Sequence, residues 1–309
     1  MSVRRLPSGS AFVVVDLDGA ARSDGLVRWA KKILVDGATW LARSRTYAWA
    51  SLGEQIGGAS AGISAVPDER QAALESFVTD AAELVGSGEL SLDAGKGVAW
   101  ADLAPLRAVD VRSPLATGDD APALASDLLA VGVTAATAAQ LGGLDGRTIT
   151  LEGPPEVTTA LAEAFRSQGA TVTGPDAEDP DAALQATADA LVCGSKVGLL
   201  DHHRVTEIGS TLIVPWGPMP VTTRGVAVAR RAGIEVLPDF VTTAGPLLAA
   251  TAAPTVGVED LRATVTETIG GIIGDVTDHD EGALLGACLR AEAFLGTWRD
   301  ELPFGRPIA

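Results

Sequence analysis

The chain has 309 residues, of which 47% are hydrophobic and only 4% aromatic, with 35 glycines and 17 prolines. It is long enough for two cored domains and too apolar for a disordered chain. Forty acidic against 23 basic residues give a formal net charge of −17, which repels phosphodiester backbones and anionic lipid, so neither nucleic acid nor a membrane is an expected partner.

From the N-terminus, the β-branched run AFVVV at 11–15 reads as a strand. It ends at Asp16 and is too short for a signal-peptide core. No stretch reads as 18 apolar residues in a row, so the expectation is a soluble, cytoplasmic protein. Residues 26–50 follow a helical period through Trp29, Ile33, Leu34, Trp40 and Leu41, and 69–86 form an amphipathic helix. The DAGKG segment at 93–97 reads as a loop, because two glycines in three residues break either period. The SPLATGDDAP stretch at 113–122 has no apolar period and is the best domain boundary. A helix is expected over 123–141.

Beyond it, strands and helices alternate. Strands are expected at 147–151, 171–173, 190–193, 211–214 and 235–237, and helices at 156–168, 182–190 and 225–232. Strands spaced by such helices pair in parallel through right-handed crossovers, which makes a doubly wound sheet. Residues 257–296 read as helical. The expected class is α/β, with a first domain over 1–116, a Rossmann-like domain over 117–256 and a C-terminal helical segment over 257–309. Cys193 and Cys288 lie far apart in apolar surroundings and read as buried structural thiols.

Two segments carry a family resemblance. The run TYAWASLGEQIGGASAGI at 46–63 matches, without a gap, the stretch of amino acid dehydrogenases that runs from a substrate-binding lysine to a GGGK or GGAKGG motif. Residues 211–218 (TLIVPWGP), Thr222-Thr223 and the run GIEVLPDFVTTAG at 233–245 are similar to the same family's VVEGANGPTT and GI-V-PD-ANAGG segments. The chain therefore resembles the glutamate, leucine, phenylalanine and valine dehydrogenase superfamily. That resemblance implies an oligomerisation-type first domain, a homodimer or larger homo-oligomer, and a small-molecule ligand in an interdomain cleft.

The positions that matter for chemistry differ. The family's two lysines fall on Ala48 and Ser60, and neither can supply a cation or a tuned amine. Asp93 resembles the catalytic aspartate of the family's TDMG. Asp24-Gly25-Leu26-Val27-Arg28 resembles its GG-x-R turn, so Gly25, Arg28, Gly57 and Gly58 are the expected substrate-binding residues. Lys96, three residues past Asp93, is the one lysine that could restore an acid/base pair with Asp93 and Ser60; a solvated loop lysine is the plainer alternative.

In the nucleotide half, the resemblance assigns cofactor positions to Gly153, Glu156, Asp176, Trp216 and Thr243. Yet G-x-G-x-x-G is replaced by Gly153-Pro-Pro155-Glu156. Pro155 removes an N–H and adds a ring where backbone would approach a pyrophosphate, and Glu156 puts a carboxylate on the first helical turn. No cofactor is expected, although NAD(P) stays possible, and no metal is expected. Two functions stay open: a binding or assembly protein that has lost oxidative deamination, or an NAD(P)-dependent oxidoreductase acting on an amino acid or related small acid with a rearranged site. A rival motif, VVVDLDG at 13–19, looks like the haloacid-dehalogenase-type phosphatase signature. Its plainer reading is a strand ending in an acidic turn.

Overall fold

The computed structural model describes residues 1–174 and 181–308. The chain divides into two compact units, one of Met1–Pro122 with Glu292–Pro307, the other of Ala123–Ala291 with Ile308–Ala309. The first boundary thus falls at the end of the 113–122 stretch. The C-terminal segment is no unit of its own, since its residues are shared between the two.

In the first unit the order is β1 (Ser2–Arg5), β2 (Ala11–Val15), β3 (Ser23–Ala30), α1 (Val35–Ser51), β4 (Gly57–Ser64), α2 (Arg70–Gly86), β5 (Leu90–Ala94), and the one-turn helices α3 (Ala104–Arg107) and α4 (Pro114–Thr117). The strands form one sheet in the order β1-β2-β4-β3-β5. β2 pairs antiparallel with β1 and β4, while β3 runs parallel to β4 and β5. The helix expected over 26–50 is therefore half wrong: its first residues are β3, and α1 begins only at Val35. Trp29 and Ile33 share a helical spacing, but Val27 and Trp29 alternate with Leu26 and Arg28 as a strand requires.

The pleat gives this sheet two different faces. Val13, Val15, Val27, Ala59, Ala61 and Ile63 point one way and bury against Leu74, Phe77 and Val78 of α2. The residues in alternate register, Val14, Asp16, Asp24, Leu26, Arg28, Ser60 and Asp93, share the opposite face. There α1 packs, closing an apolar patch of Phe12, Val14, Ala38 and Ala42. A Cβ on Gly58 would overlap the Ala42 carbonyl oxygen, and one on Gly25 the Ala59 carbonyl oxygen. Both glycines stand inside strands, where close backbone approach requires them.

The second unit holds α5 (Ala121–Leu141, entered from the first), β6 (Thr148–Leu151), α6 (Pro155–Ser167), β7 (Thr171–Thr173), α7 (Ala182–Gln185), β8 (Ala190–Cys193), β9 (Leu212–Pro215), α8 (Thr223–Arg231), β10 (Glu235–Val236), α9 (Asp239–Thr242), α10 (Gly245–Thr251), α11 (Val258–Val276) and α12 (Ala283–Leu295), whose last turn returns to the first unit. The strands are all parallel in the order β10-β9-β8-β6-β7. The chain moves from β6 to β7 on one side and then through β8, β9 and β10 on the other, which is the doubly wound arrangement. The helix expected over 182–190 is only the single turn α7, because Ala188 already bridges Ser210 and β8 follows at once. The helical tail is broken between α11 and α12 by Thr277–Gly282, where Gly282 has φ +86°. Contrary to the expectation from the sequence, α5 is long and apolar enough to cross a membrane by length and composition; residues from Leu128 to Thr137 are largely buried, as in the core helix of a globular unit.

Candidate functional site

In the first unit, charged groups collect on the sheet face shared with α1. Asp24 lies on β3, Asp93 at the end of β5, Arg45 and Trp49 on α1, and Asp110 and Arg112 in the segment before α4. The Asp24 carboxylate accepts from Arg45 Nε at 2.6 Å, Trp49 Nε1 at 3.1 Å and Arg112 Nη1 at 3.4 Å. Asp93 accepts from both terminal nitrogens of Arg112, Nη2 to Oδ1 at 2.8 Å and Nη1 to Oδ2 at 3.1 Å, the fork-on-carboxylate geometry that guanidinium favours. Arg45 Nη2 stands 3.7 Å from the same carboxylate. Arg112 Nε and Nη2 also reach Asp110 at 3.0 and 2.8 Å.

Arg112 is thus a buried cation held by three aspartates, its side chain 2% exposed. Burial by itself would weaken its hold on a proton. The Asp93 carboxylate first, then Asp24 and Asp110, outweigh that and keep it charged well above the ordinary arginine range. Nothing in the sequence reading pointed to Arg112.

The remaining first-unit positions distribute as follows. Ser60 is buried on β4, and its Oγ accepts from Arg28 Nη2 at 3.4 Å. Burial pushes the Arg28 guanidinium down. Ala48 is buried on α1, and among the described residues no lysine hydrogen bond to Ser60 is found, its side-chain donor being Arg28. Lys96 is exposed, and its carbonyl oxygen accepts from the Trp29 N–H at 3.0 Å. The cations at Asp93 are Arg112 and Arg45, not Lys96. Gly57 and Gly58 open β4. Asp16, the nucleophile of the phosphatase-like motif, is fully buried, takes Arg43 Nε at 2.8 Å on both oxygens and the Thr46 hydroxyl at 2.7 Å, and so is a structural ion pair. Among the described residues no group of acidic, His or Cys side chains could hold a metal.

In the second unit the natural ligand position is the crevice at the carboxyl ends of β6 and β8, where the winding reverses. The protein's own side chains fill it. Glu152, just past β6, is buried and its Oε2 accepts from the backbone N–H of Gly194 at 2.9 Å and of Ser195 at 3.2 Å. Trp216, just past β9, donates its indole Nε1 to the Glu152 carbonyl at 2.7 Å and its own N–H to the Cys193 carbonyl at 3.0 Å. The indole lies over Gly153 (φ +132°), where a Cβ would meet its Cζ2 at 2.5 Å. Burial first, and then the Glu152 carboxylate, push the Cys193 thiol up, so it stays protonated. Pro154 caps α6 and Pro155 opens it, with Glu156 exposed in the first turn. Neither proline has an N–H, so this helix start offers little to a phosphate. Thr243 turns its hydroxyl to the Asp239 carbonyl at 2.7 Å. Asp176 lies outside the described residues.

No protein-family profile matches the sequence, and none of the curated proteins does. Solved structures do match. The hetero-hexameric glutamate dehydrogenase of Thermus thermophilus, in its leucine-bound form, superimposes with a TM-score of 0.76 at 19% identity, over 97% of this chain and 89% of that one. The chain has the amino acid dehydrogenase fold. L-tryptophan dehydrogenase of Nostoc punctiforme gives a TM-score of 0.66 at 18% identity over 93% of this chain and 92% of that one. Plasmodium falciparum glutamate dehydrogenase gives 0.73 at 11% over 97% and 82%. A dehydrogenase fold at these identities fixes the frame, not the chemistry.

Proposed function

We propose that this dehydrogenase-fold chain has left oxidative deamination and works as a binding or assembly protein. The observation that carries the reading is the self-filled crevice, with the Glu152 carboxylate on the Gly194 and Ser195 amides and the Trp216 indole over Gly153. A dinucleotide does not fit these residues. Its pyrophosphate would have to displace an indole and meet two carboxylates, Glu152 and Glu156, beside a helix start that opens on two prolines. The first unit supports the same reading, since Asp93 is engaged by Arg112, and among the described residues the side chain bonded to Ser60 is the Arg28 guanidinium, not an amine that could act as acid or base. An assembly of copies of this chain goes with it, and the hetero-hexameric relative supports that expectation.

The test is an assay of the full-length chain with glutamate, leucine, valine and phenylalanine, each with NAD⁺ and NADP⁺. The expected result is no reduction of the nicotinamide above background. Turnover on the order of 1 per second, the low end of ordinary enzymes, would overturn the proposal.

A further inference from the structure

Three of the four lysines in the chain, Lys31, Lys32 and Lys96, gather at one end of the first sheet. Lys31 and Lys32 directly follow β3, and Lys96 stands two residues past β5, which runs parallel to it. The backbone there is tied down. The Trp29 N–H donates to the Lys96 carbonyl at 3.0 Å, the Ile33 N–H to Ser64 Oγ at 3.0 Å and the Ala65 N–H to the Ala30 carbonyl at 3.2 Å. Arg70 lies over the Trp29 ring and donates from Nη2 to the Gly97 carbonyl at 2.9 Å.

The three lysines are exposed and, among the described residues, join no ion pair. Asp36, Asp68 and Glu69 are the acids next to this end in the chain and pair with none of them, while Asp102 is taken by Arg70. Beside the lysines, Leu34 is 61% exposed, and Val66, two residues past β4, is 38% exposed. Exposed aliphatic side chains with a charged rim are the make-up of a contact surface, and the charge on the rim selects the partner.

The chain itself supplies the complementary charge. Among the described residues its densest acidic stretch is Asp278, Asp280 and Glu281, in the turn between α11 and α12 of the second unit. All three are exposed and in no ion pair, whereas Asp275 before them is paired with Arg290. This backbone is also held. Arg230 Nη2 donates to the Asp280 carbonyl at 2.8 Å, and the Glu281 N–H donates to His279 Nδ1 at 3.1 Å. Three free carboxylates on a fixed turn thus match three free ammonium groups on a fixed sheet end, and little ordering is left to oppose their meeting.

We propose that the Lys31, Lys32 and Lys96 end of the first unit docks on the Asp278–Glu281 turn of a second copy of this chain. The inference rests on the assembly reading above and deepens it by naming the surfaces through which copies meet.

The experiment is sedimentation of the full-length chain in roughly 0.1 M and 1 M salt, where the Debye length is about 10 and 3 Å. The expected result is a larger assembly in the lower salt. One variant carries Lys31→Glu, Lys32→Glu and Lys96→Glu; a second carries Asp278→Lys, Asp280→Lys and Glu281→Lys. Each alone should weaken association by about tenfold or more, because like charges then face each other. An equimolar mixture of the two should regain the mass of the unaltered chain, since each then meets the opposite charge in the other, and that recovery also shows that both are folded. Either variant keeping the unaltered mass, or a mixture that stays dissociated, would overturn these surfaces. A monomer at about 100 μM in the lower salt would overturn the assembly of copies altogether. Nicotinamide reduction in the deamination assay would overturn the loss of catalysis instead.

Discussion

The two units close their candidate sites by different physical means. In the first, the sheet face is locked by full charges on side chains, with Arg112 and Arg45 against Asp24, Asp93 and Asp110. In the second, the crevice is filled by one carboxylate resting on backbone amides and by one indole. Charge against charge is stable only while every partner is present, since removing one strands the others in a poor solvent. A side chain set on amides is a local replacement for a ligand, and taking it away leaves neutral donors that water can reach. The first closure should therefore behave as part of the fold, and the second as a plug.

The largest expected effect tests the first half of that contrast. Arg112→Leu leaves three buried or half-buried aspartates without their shared cation and should cost about 3–5 kcal/mol in urea unfolding. A loss under about 1 kcal/mol would show that the network is incidental. Trp216→Ala comes next, at about 1–3 kcal/mol, because the indole is only half-buried but its hydrogen bond to Glu152 is lost with it. Glu152→Gln should be smaller, below about 1 kcal/mol, since the amide oxygen can still accept from Gly194 and Ser195. If Glu152→Gln proves as damaging as Arg112→Leu, the charge itself holds the crevice and the contrast fails.

A pH titration sharpens the picture of the first unit at its C-terminal end. The Arg306 guanidinium, with help from the Tyr47 hydroxyl, holds the Glu292 carboxyl below its ordinary value, although burial opposes them. A carboxylate whose folded pKa is depressed adds stability above its unfolded pKa and loses it as pH falls through the folded one. That contribution should fade below about pH 4. Glu292→Gln should lower stability at neutral pH and flatten this acid limb, so that the two proteins converge in acid; an identical acid limb in the variant would exclude Glu292 as its source.

Much of the second unit was legible in the sequence, because strands and helices alternate there with clean turn signals and so imply parallel pairing through crossovers, although not the strand order. The first unit was harder. β4 reads GGASAGIS, with one β-branched residue in eight, and only its likeness to a family motif marked it. β3 reads as helix in the sequence because Trp29 and Ile33 lie four apart. The lock on Asp93 was invisible, since Arg112 reaches partners 19 and 88 residues away and its neighbours in sequence look like a linker. Glu152 had a usable signal, a charge at the end of the apolar strand TITL.

Dinucleotide binding tests the filled crevice most directly. Calorimetric titration of the full-length chain with NAD⁺ and with NADP⁺ should give no detectable heat of binding up to about 1 mM, weaker than −4.1 kcal/mol. Replacing Pro155 and Glu156 together by glycine should restore weak binding, and adding Trp216→Ala should strengthen it. A micromolar affinity for either dinucleotide in the unaltered protein would contradict the claim that Glu152 and Trp216 have taken the ligand's place.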